Sequence, residues 1–482
     1  MWKEIDNSAD EFCDQLSSAR NFAGAVIGDN WVATFMVHLD LLGPVYTMRW
    51  RREMIVVPKG VLPSLRDVKD TLGKCWAAMG NHVKVEYSKF FLCIPGWICR
   101  SVNSTAEIET NGKWSDRSRD RVRVDERHVR ALRKKITKEN LPPDSVVVDF
   151  VPGSFTLDDG RRMMDPTGAA SRSLVLDAHL VVADGFWVNE VIGSLGDIGV
   201  RVDAVTSVFS ATEDLLTDEE KLNDTLVINV GARHTCLSFF NEGYLSATKI
   251  LKGGSDDVIC KVAGNLNMPV AEVNASIAQL KLLLFSGDGE PDGCGEFPLF
   301  VWRTQLPVIR DLDHAAVPFA DSLLSGIWRE VERLRDERGV NLRNAIVTGD
   351  DPLVVRAVLS LMRDKTPLRS RRGVVENVHK SEEYDSPGYS QMVSMVRQHG
   401  GVMEPRGENG EHGANALVSH RESMAGSIIR DGWTAVRSYF ARMNKREHQR
   451  RRKAVLRPSL SSSGELIQTF DGSRYVSGVR GA

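Results

Sequence analysis

The sequence predicts an α/β protein built from a duplicated domain, with a small α+β unit inserted in the first copy. Three observations support this fold class. Strand-like segments at 22–57 are closed by a helix, a second strand-rich run beginning at 225 is also closed by helices, and a mixed block at 100–182 interrupts the first run. Because the two halves show the same pattern of strands and helices, we expect a cleft between them.

Length, charge and cysteine content limit the classes of protein to which this chain can belong. The 482 residues are enough for about three folding units, and the net charge of −2 provides no global attraction to nucleic acid. Seven cysteines form no CxxC pair, so we expect reduced thiols, with no zinc site and no disulfide scaffold. The N-terminal extension, 1–21, lacks the apolar core of a signal peptide, and the apolar run 90–99 is too short to span a bilayer. We expect a protein that is soluble or attached to one membrane face.

The first half is assigned to 22–99. Glycine-bearing turns divide 22–57 into three antiparallel strands. A helix follows at 63–79, because Leu65, Val68, Leu72 and Trp76 share one face, and a strand is expected at 89–99.

The inserted unit is assigned to 100–182, and the chain returns to the first half at 183–224. Residues 100–125 are polar without a sustained period, whereas Glu126 to Thr137 predicts a basic helix. Strands are expected at 145–155, 173–183 and 202–209, and the glycine-terminated apolar stripe at 185–199 predicts a helix.

The second half is assigned to 225–399. Its hairpin, LVINVGARHTCLSFF, begins at Leu226 and precedes mainly helical segments at 256–285 and 316–338, with an irregular Gly- and Pro-bearing stretch at 286–306 between them. A strand at 344–349 and a helix at 353–362 complete this half.

The hairpin suggests a nucleotide site. A turn that wraps phosphates with backbone N–H groups needs small residues, and carboxylates are needed to hold Mg²⁺. Gly231 is small, but Ala232, Arg233 and His234 crowd the turn. An ordinary β-hairpin is the alternative interpretation of these residues alone.

Residues 22–400 resemble the bacterial cell-division protein FtsA, of the actin-like (RNase H-like) ATPase superfamily. The resemblance rests on VPGSFTLDDG from Val151, Asp165-Pro166-Thr167-Gly168, Leu174, His179, Asn189, and Gly199 before Val202-Asp203, in the family's order. It implies that 100–182 is the inserted subdomain of FtsA, which takes part in contacts along filaments and with later division proteins. It also implies that 256–338 includes the subdomain that binds the C-terminal peptide of FtsZ, with Arg310 as a candidate contact.

The resemblance further implies a cleft for ATP and Mg²⁺. The candidate nucleotide-binding residues are Gly28, Asn30, Asn229, Gly231, Gly253, Gly254, Thr348 and Gly349. The set is degenerate, because Val26 and Asn229 replace leading aspartates, Cys236 replaces another acid, and Asp350-Asp351 replaces glycine. We expect weak or absent hydrolysis, with nucleotide binding left open and no catalytic residue assigned.

The C-terminal region predicts a membrane helix at 425–453, after a flexible linker at 400–424 and before a polar tail at 454–482. Its apolar stripe and flanking cations are Ile429, Trp433, Val436, Phe440 and Met443 with Arg437, Arg442, Lys445 and Arg446. Aromatic residues edged by cations are typical of a helix that lies on an anionic bilayer. Docking on the protein's own body, or nucleic-acid binding by the basic run, are the alternatives.

These features predict an FtsA-like adaptor on the cytoplasmic face of the inner membrane at the division site. The expected partners are the FtsZ peptide, anionic lipids, further copies of the chain and other divisome proteins, without nucleic acid. A PilM-type scaffold of a pilus or secretion apparatus is the alternative, and the apolar stripe from Ile429 to Met443 favours the adaptor. A sugar or acetate kinase needs an intact phosphate cradle and a catalytic acid, neither of which is visible in the sequence.

Overall fold

A computed structural model describes residues 21–39, 46–57, 61–80, 87–110, 121–285, 299–338, 341–375 and 387–399.

The first half of the molecule begins with a meander of three strands. The first elements are β1 (Asn21–Ile27), β2 (Trp31–Leu39), β3 (Tyr46–Met54), α1 (Leu65–Gly80) and β4 (Lys89–Ile94). β1 and β2 pair antiparallel, as do β2 and β3, whereas β4 runs parallel to β1. Every residue of β1 is buried, so both faces of this strand are covered.

The inserted unit follows β4 directly. Its elements are β5 (Cys99–Glu109), β6 (Val122–Arg123), α2 (Glu126–Asn140), β7 (Ser145–Leu157), β8 (Arg162–Met163), β9 (Ala170–Ser171) and β10 (Ser173–Asp184). Four of these strands form a sheet in the order β5-β10-β7-β8, and α2 packs on it. The shared core includes Leu132, Ile136, Phe155, Leu176 and Leu180. The insertion therefore has a hydrophobic core of its own.

The chain then returns to the first half and continues into the second. The return consists of α3 (Gly185–Asp197), β11 (Ala204–Ser207), a 3-10 helix (Ser210–Leu215) and α4 (Asp218–Leu222). The second half comprises β12 (Thr225–Val230), β13 (His234–Asn241), β14 (Tyr244–Lys252), α5 (Ser255–Asn265), α6 (Val270–Phe285), α7 (Leu299–Arg338), β15 (Asn344–Gly349), α8 (Pro352–Lys365), β16 (Arg369–Arg372) and α9 (Pro387–His399).

The two main sheets have the same topology. Their strand orders are β3-β2-β1-β4-β11 and β14-β13-β12-β15-β16, which is the order 3-2-1-4-5 in each half. In both sheets the first three strands are antiparallel and the last two are parallel to the first. The repeated order and the insertion after β4 confirm the predicted duplicated actin-like fold. The predicted C-terminal helix lies outside the described residues.

The second sheet is covered by helices α5 to α8. Their apolar side chains form one core with β12, β13 and β15, including Leu226, Ile228, Leu237, Val262, Ile327 and Val358. Among the helices that the structure describes, none combines the length and apolarity that a bilayer crossing requires.

Three element predictions were wrong. Residues 100–109, part of the stretch in which no sustained period was found, belong to β5, an edge strand whose exposed face carries the polar residues that obscured its alternation. The strand expected at 89–99 stops at Ile94, because Pro95 leads into a short 3-10 helix. Residues 299–306, expected to be irregular, form the first turns of α7, which begins directly after Pro298 and continues through Pro307.

Candidate functional site: a bridged interdomain cleft

Four turns of the two halves meet in the cleft. They are 28–30 after β1, 231–233 after β12, 253–254 before α5, and 350–351 after β15, which ends with Thr348 and Gly349. Each turn follows or precedes a buried strand, so its backbone is held by the sheet behind it. The structure therefore brings together all the regions that were predicted to contact a nucleotide.

The first turn is covered by Trp31. The Gly28 amide donates to the Trp31 carbonyl over 2.9 Å, and the indole ring lies against Gly28. A Cβ added to Gly28 would lie 2.3 Å from Trp31 Cε2, so only glycine leaves room for the ring. The Asn30 carbonyl accepts a hydrogen bond from the Ile55 amide. These contacts use the turn to seat an aromatic side chain.

Asp29 joins the first turn to the second. Its Oδ2 accepts hydrogen bonds from the backbone amides of Arg233, at 2.9 Å, and His234, at 2.8 Å. Asp29 is only 8% exposed, although it lies in a turn between two strands. Successive backbone N–H groups that converge on one oxygen form an anion-binding nest. In this protein the anion is a side chain from the opposite half.

Gly253 and Gly254 hold the second turn from its other side. The amides of Ser255 and Asp256, at the start of α5, donate to the carbonyls of Gly231 and Ala232, each over 2.9 Å. The Gly253 amide donates to the Arg233 carbonyl, and Gly253 has a φ of 109°, which favours glycine. The first amides of α5, which at a helix start favour anions, are thus bonded to the hairpin itself.

The fourth turn forms a second bridge across the cleft. Trp31 Nε1 donates to Asp350 Oδ2 over 2.9 Å, and the Arg52 guanidinium stacks 4.4 Å from the Trp31 ring centroid. Burial raises the pKa of Asp350, and the positive charge of Arg52 partly opposes this shift. The Asp350 amide donates to the Val230 carbonyl, which fixes the turn against β12.

Two further carboxyl groups near this turn have raised pKa values. Burial raises the pKa of Asp351 to about 6, although its carboxylate caps α8 by accepting from the Val354 amide over 3.1 Å. Burial also raises the pKa of Asp256, whose carboxylate lies 3.7 Å from Arg233 Nε. Several carboxyl groups are therefore concentrated around one cleft.

The strands behind the turns supply no acid at the predicted positions. Asn229 lies opposite Cys236 in the β12–β13 register and beside Thr348 of β15. Burial raises the pKa of Cys236 well above its ordinary value, so this thiol stays protonated. Val26 is fully buried in β1. Within the described ranges, no group of three or more His, Cys, Asp or Glu side chains has a geometry that would hold a metal ion.

A nucleotide phosphate does not fit this arrangement. The amides of Arg233 and His234 that would face a phosphate already bind the Asp29 carboxylate. The cleft as built joins the two halves, and among the residues that the structure describes no group of carboxylates is placed to hold Mg²⁺.

The residues that carry this bridge were not predicted from the sequence. In the sequence, Asp29, Trp31 and Arg52 have the pattern of ordinary turn and strand residues, and Asp350 stands where glycine is expected. The available signal is an acidic residue directly after Gly28, in a turn between two apolar strands.

Two further sets of residues were predicted, a partner contact and a membrane stripe. Arg310 falls within α7, and the structure describes its backbone position only. The predicted membrane residues, from Ile429 to Lys445 and Arg446, lie outside the described residues, as do the linker and the polar tail.

Comparison with known proteins identifies the inserted unit. Residues 96–182 match the family model described as the SHS2 domain inserted in FtsA. The chain is 24% identical over 219 residues to the cell division protein FtsA of Enterococcus hirae, covering 45% of this chain and 47% of that protein. It is 20% identical over 174 residues to FtsA of Bacillus subtilis strain 168, covering 36% and 39%. The matched stretch therefore spans less than half the length of these relatives.

Solved structures show lower similarity. A PilM-PilN type IV pilus biogenesis complex aligns with a TM-score of 0.45 and 14% identity, covering 78% of this chain and 97% of that one. MreB5 of Spiroplasma citri bound to ADP aligns with a TM-score of 0.33 and 10% identity, covering 78% and 96%. With its repeated strand order, its SHS2 insertion and its altered cleft, the chain is similar to the bacterial cell-division protein FtsA, as a divergent relative with degenerate nucleotide motifs.

Proposed function

We propose that this chain is a cell-division protein of the FtsA type, which assembles into filaments and tethers FtsZ filaments to the cytoplasmic face of the inner membrane at the division site. ATP hydrolysis is weak or lost. The observation that supports this proposal most strongly is the SHS2 match at 96–182, placed between two halves of an actin-like fold. Further copies of the chain and other divisome proteins are the proposed partners of this inserted domain.

The inserted domain is fixed to both halves, as a surface for filament contacts requires. Asp149 of β7 accepts hydrogen bonds from the Thr206 hydroxyl at 2.9 Å and from the Ser207 amide at 3.1 Å, at the end of β11. Gly153 lies against the ring of Tyr244 in β14, where an added Cβ would be 3.0 Å from the ring. These contacts join the domain to β11 of the first half and to β14 of the second half.

Attachment to lipid is assigned to the stripe from Ile429 to Met443. One short amphipathic helix binds a bilayer weakly, because it buries little apolar area. Helices arrayed along a filament bind together and gain avidity without new contacts. Filament assembly would therefore control membrane attachment.

The chemistry of the cleft supports the proposal that hydrolysis is weak or lost. Val26, Asn229 and Cys236 place no carboxylate behind the turns, whereas phosphoryl transfer needs a positioned metal ion and an oriented water. The acids that are present belong to the turns, where Asp29 and Asp350 bond to the opposite half.

A liposome co-sedimentation experiment tests the tether. The double variant Trp433→Glu with Phe440→Glu places two charges on the apolar stripe, and we expect it to abolish pelleting with anionic vesicles. The matched control, Thr434→Glu with Ser438→Glu, adds the same charge on the other face of the helix and is expected to reduce pelleting only slightly. Equal pelleting of the wild type and the stripe variant would refute the tether.

Recruitment of FtsZ tests the partner assignment. Fluorescent FtsZ should pellet with vesicles only when this chain is present, and Arg310→Glu should weaken that recruitment. Arg329→Glu is the control, because Arg329 is an exposed residue of the same helix. A chain that binds vesicles but never recruits FtsZ would contradict the adaptor role.

A further inference from the structure

The cleft contains an anion that belongs to the protein. Asp29 extends from the β1–β2 turn to the β12–β13 turn, where its Oδ2 receives two adjacent backbone N–H groups. The approach is close, because a Cβ added to Gly231 would lie 2.7 Å from the same oxygen. Gly231 therefore leaves room for a carboxylate at the point where a phosphate-gripping turn leaves room for its ligand.

The β12–β13 turn that binds Asp29, called the receiving turn from here on, is held in shape by contacts that do not involve Asp29. The start of α5 donates the Ser255 and Asp256 amides to the carbonyls of this turn, and the Gly231 amide donates to the His234 carbonyl. The amides of Arg233 and His234 are thereby left pointing into the cleft, toward the first half. A preformed pair of donors binds a carboxylate without an ordering cost when the halves meet.

A second bond crosses the cleft beside the first. Trp31 is 2% exposed and donates to Asp350, while Arg52 stacks on its ring. Trp31 and Asp29 are two residues apart, so one short turn of the first half makes both contacts. The contact of Asp29 with two amides and the hydrogen bond from Trp31 to Asp350 together restrict sliding of one half on the other more than either would alone.

We propose that Asp29 is a built-in substitute for a nucleotide phosphate and that the cleft acts as a latch, which keeps the two halves closed without nucleotide. The latch is defined by Asp29 with the amides of Arg233 and His234, supported by Trp31 and Asp350. It goes beyond the adaptor role and does not depend on lipid or FtsZ binding. A side chain of the first half thus supplies the anion that joins the two halves at this turn.

Hydrogen exchange measured by mass spectrometry on the full chain tests the latch. In Asp29→Ala, the peptide that contains Arg233 and His234 should exchange about ten- to a hundredfold faster, because charge-assisted hydrogen bonds are lost. Asp29→Asn keeps an acceptor oxygen without the charge, so a smaller increase is expected. The control is Asp197→Ala, which removes an exposed acid of α3 and should leave this peptide unchanged.

A second measurement uses ATP with Mg²⁺ as the probe. Wild-type exchange in the 231–235 turn should not change when ATP and Mg²⁺ are added, because the donors are already bonded. If Asp29→Ala does not fold, the comparison of wild type with Asp29→Asn decides the outcome. Unchanged exchange in the Asp29 variants, or ATP-dependent protection of the wild-type turn, would overturn the latch. Neither result bears on vesicle binding, so failure of the latch is distinguishable from failure of the adaptor role.

Discussion

The two halves share a strand order but contribute different groups to the cleft. The first half contributes side chains, namely Asp29 and Trp31 from one turn and Arg52 from β3. The second half contributes a backbone nest at Arg233 and His234, together with the Asp350 carboxylate. Duplication therefore set the scaffold, whereas the turns diverged, so that each half now contributes one accepting carboxylate and at least one N–H donor of a different kind.

This asymmetry indicates how a ligand site can become an internal contact. A turn that binds anions through its backbone keeps that capacity whatever side chains surround it. A single acidic residue in the facing turn is then sufficient to fill it. The sheets need no rearrangement, because both turns stay at the ends of their strands.

Removing Trp31 should have the largest effect. Trp31→Ala deletes a side chain that is 2% exposed, with its bond to Asp350 and its contact with Arg52. We expect the free energy of unfolding to fall by about 3–5 kcal/mol. Trp31→Phe keeps most of the packing but loses the N–H donor, and should cost about 1–3 kcal/mol. Urea denaturation gives both values, and a loss below 1 kcal/mol in Trp31→Ala would argue against the bridge.

Displacing the start of α5 from the receiving turn should have the next largest effect. In Gly254→Ala, the new Cβ would lie 2.3 Å from the Gly231 carbonyl oxygen, so the start of α5 must shift away from the turn. We expect a loss of about 2–3 kcal/mol, measured by urea denaturation. Gly264→Ala is the matched control, since its Cβ meets nothing within 4 Å in the same helix. The control should stabilise the protein by about 0.5–1 kcal/mol, and equal effects of the two variants would contradict the clamped turn.

The carboxyl group of Asp351 predicts a smaller, pH-dependent effect. Its folded-state pKa, about 6, lies above the ordinary value of an aspartate. The folded protein therefore binds this proton more tightly, and the resulting stabilisation is present at about pH 4 and lost as the pH rises through about 6. The raised pKa values of Asp256 and Asp350 act in the same direction.

Asp351→Asn tests this effect while keeping an acceptor for the Val354 amide. We expect the variant to lose part of the fall in stability between about pH 4 and pH 6, by roughly 2 kcal/mol. Urea titrations at intervals of one pH unit measure the slope. A wild-type slope retained in Asp351→Asn would assign the pH dependence to other groups.

Much of the fold was predictable because its strands are apolar and its turns carry glycine. The meander, both hairpins and the helix at 185–197 followed from period and turn chemistry alone. β5 was missed because an edge strand with one solvated face carries Ser, Asn, Thr and Glu. The start of α7 was missed because neighbouring prolines and glycines suggested a loop, although the helix accommodates Pro307.

The cleft was predictable in location but not in chemistry. Gly28, Gly231, Gly254 and Gly349 indicated close approach of the backbone, and the structure places each against another turn or ring. The sequence could not indicate that Asp29 and the Arg233 amide meet, because they are separated by about two hundred positions and meet only when the two halves pack together. The sequence shows that carboxylates are missing from the strands behind the cleft. It does not show that a carboxylate of one turn binds the backbone amides of the opposite turn.

The most direct test of the latch is a calorimetric titration of the full wild-type chain with ATP and Mg²⁺, followed in parallel by Trp fluorescence. We predict no saturable heat and no change in fluorescence, because Asp29 fills the turn and Trp31 covers Gly28. A saturable binding isotherm with a dissociation constant in the micromolar range, accompanied by a fluorescence change that Trp31→Phe abolishes, would contradict it.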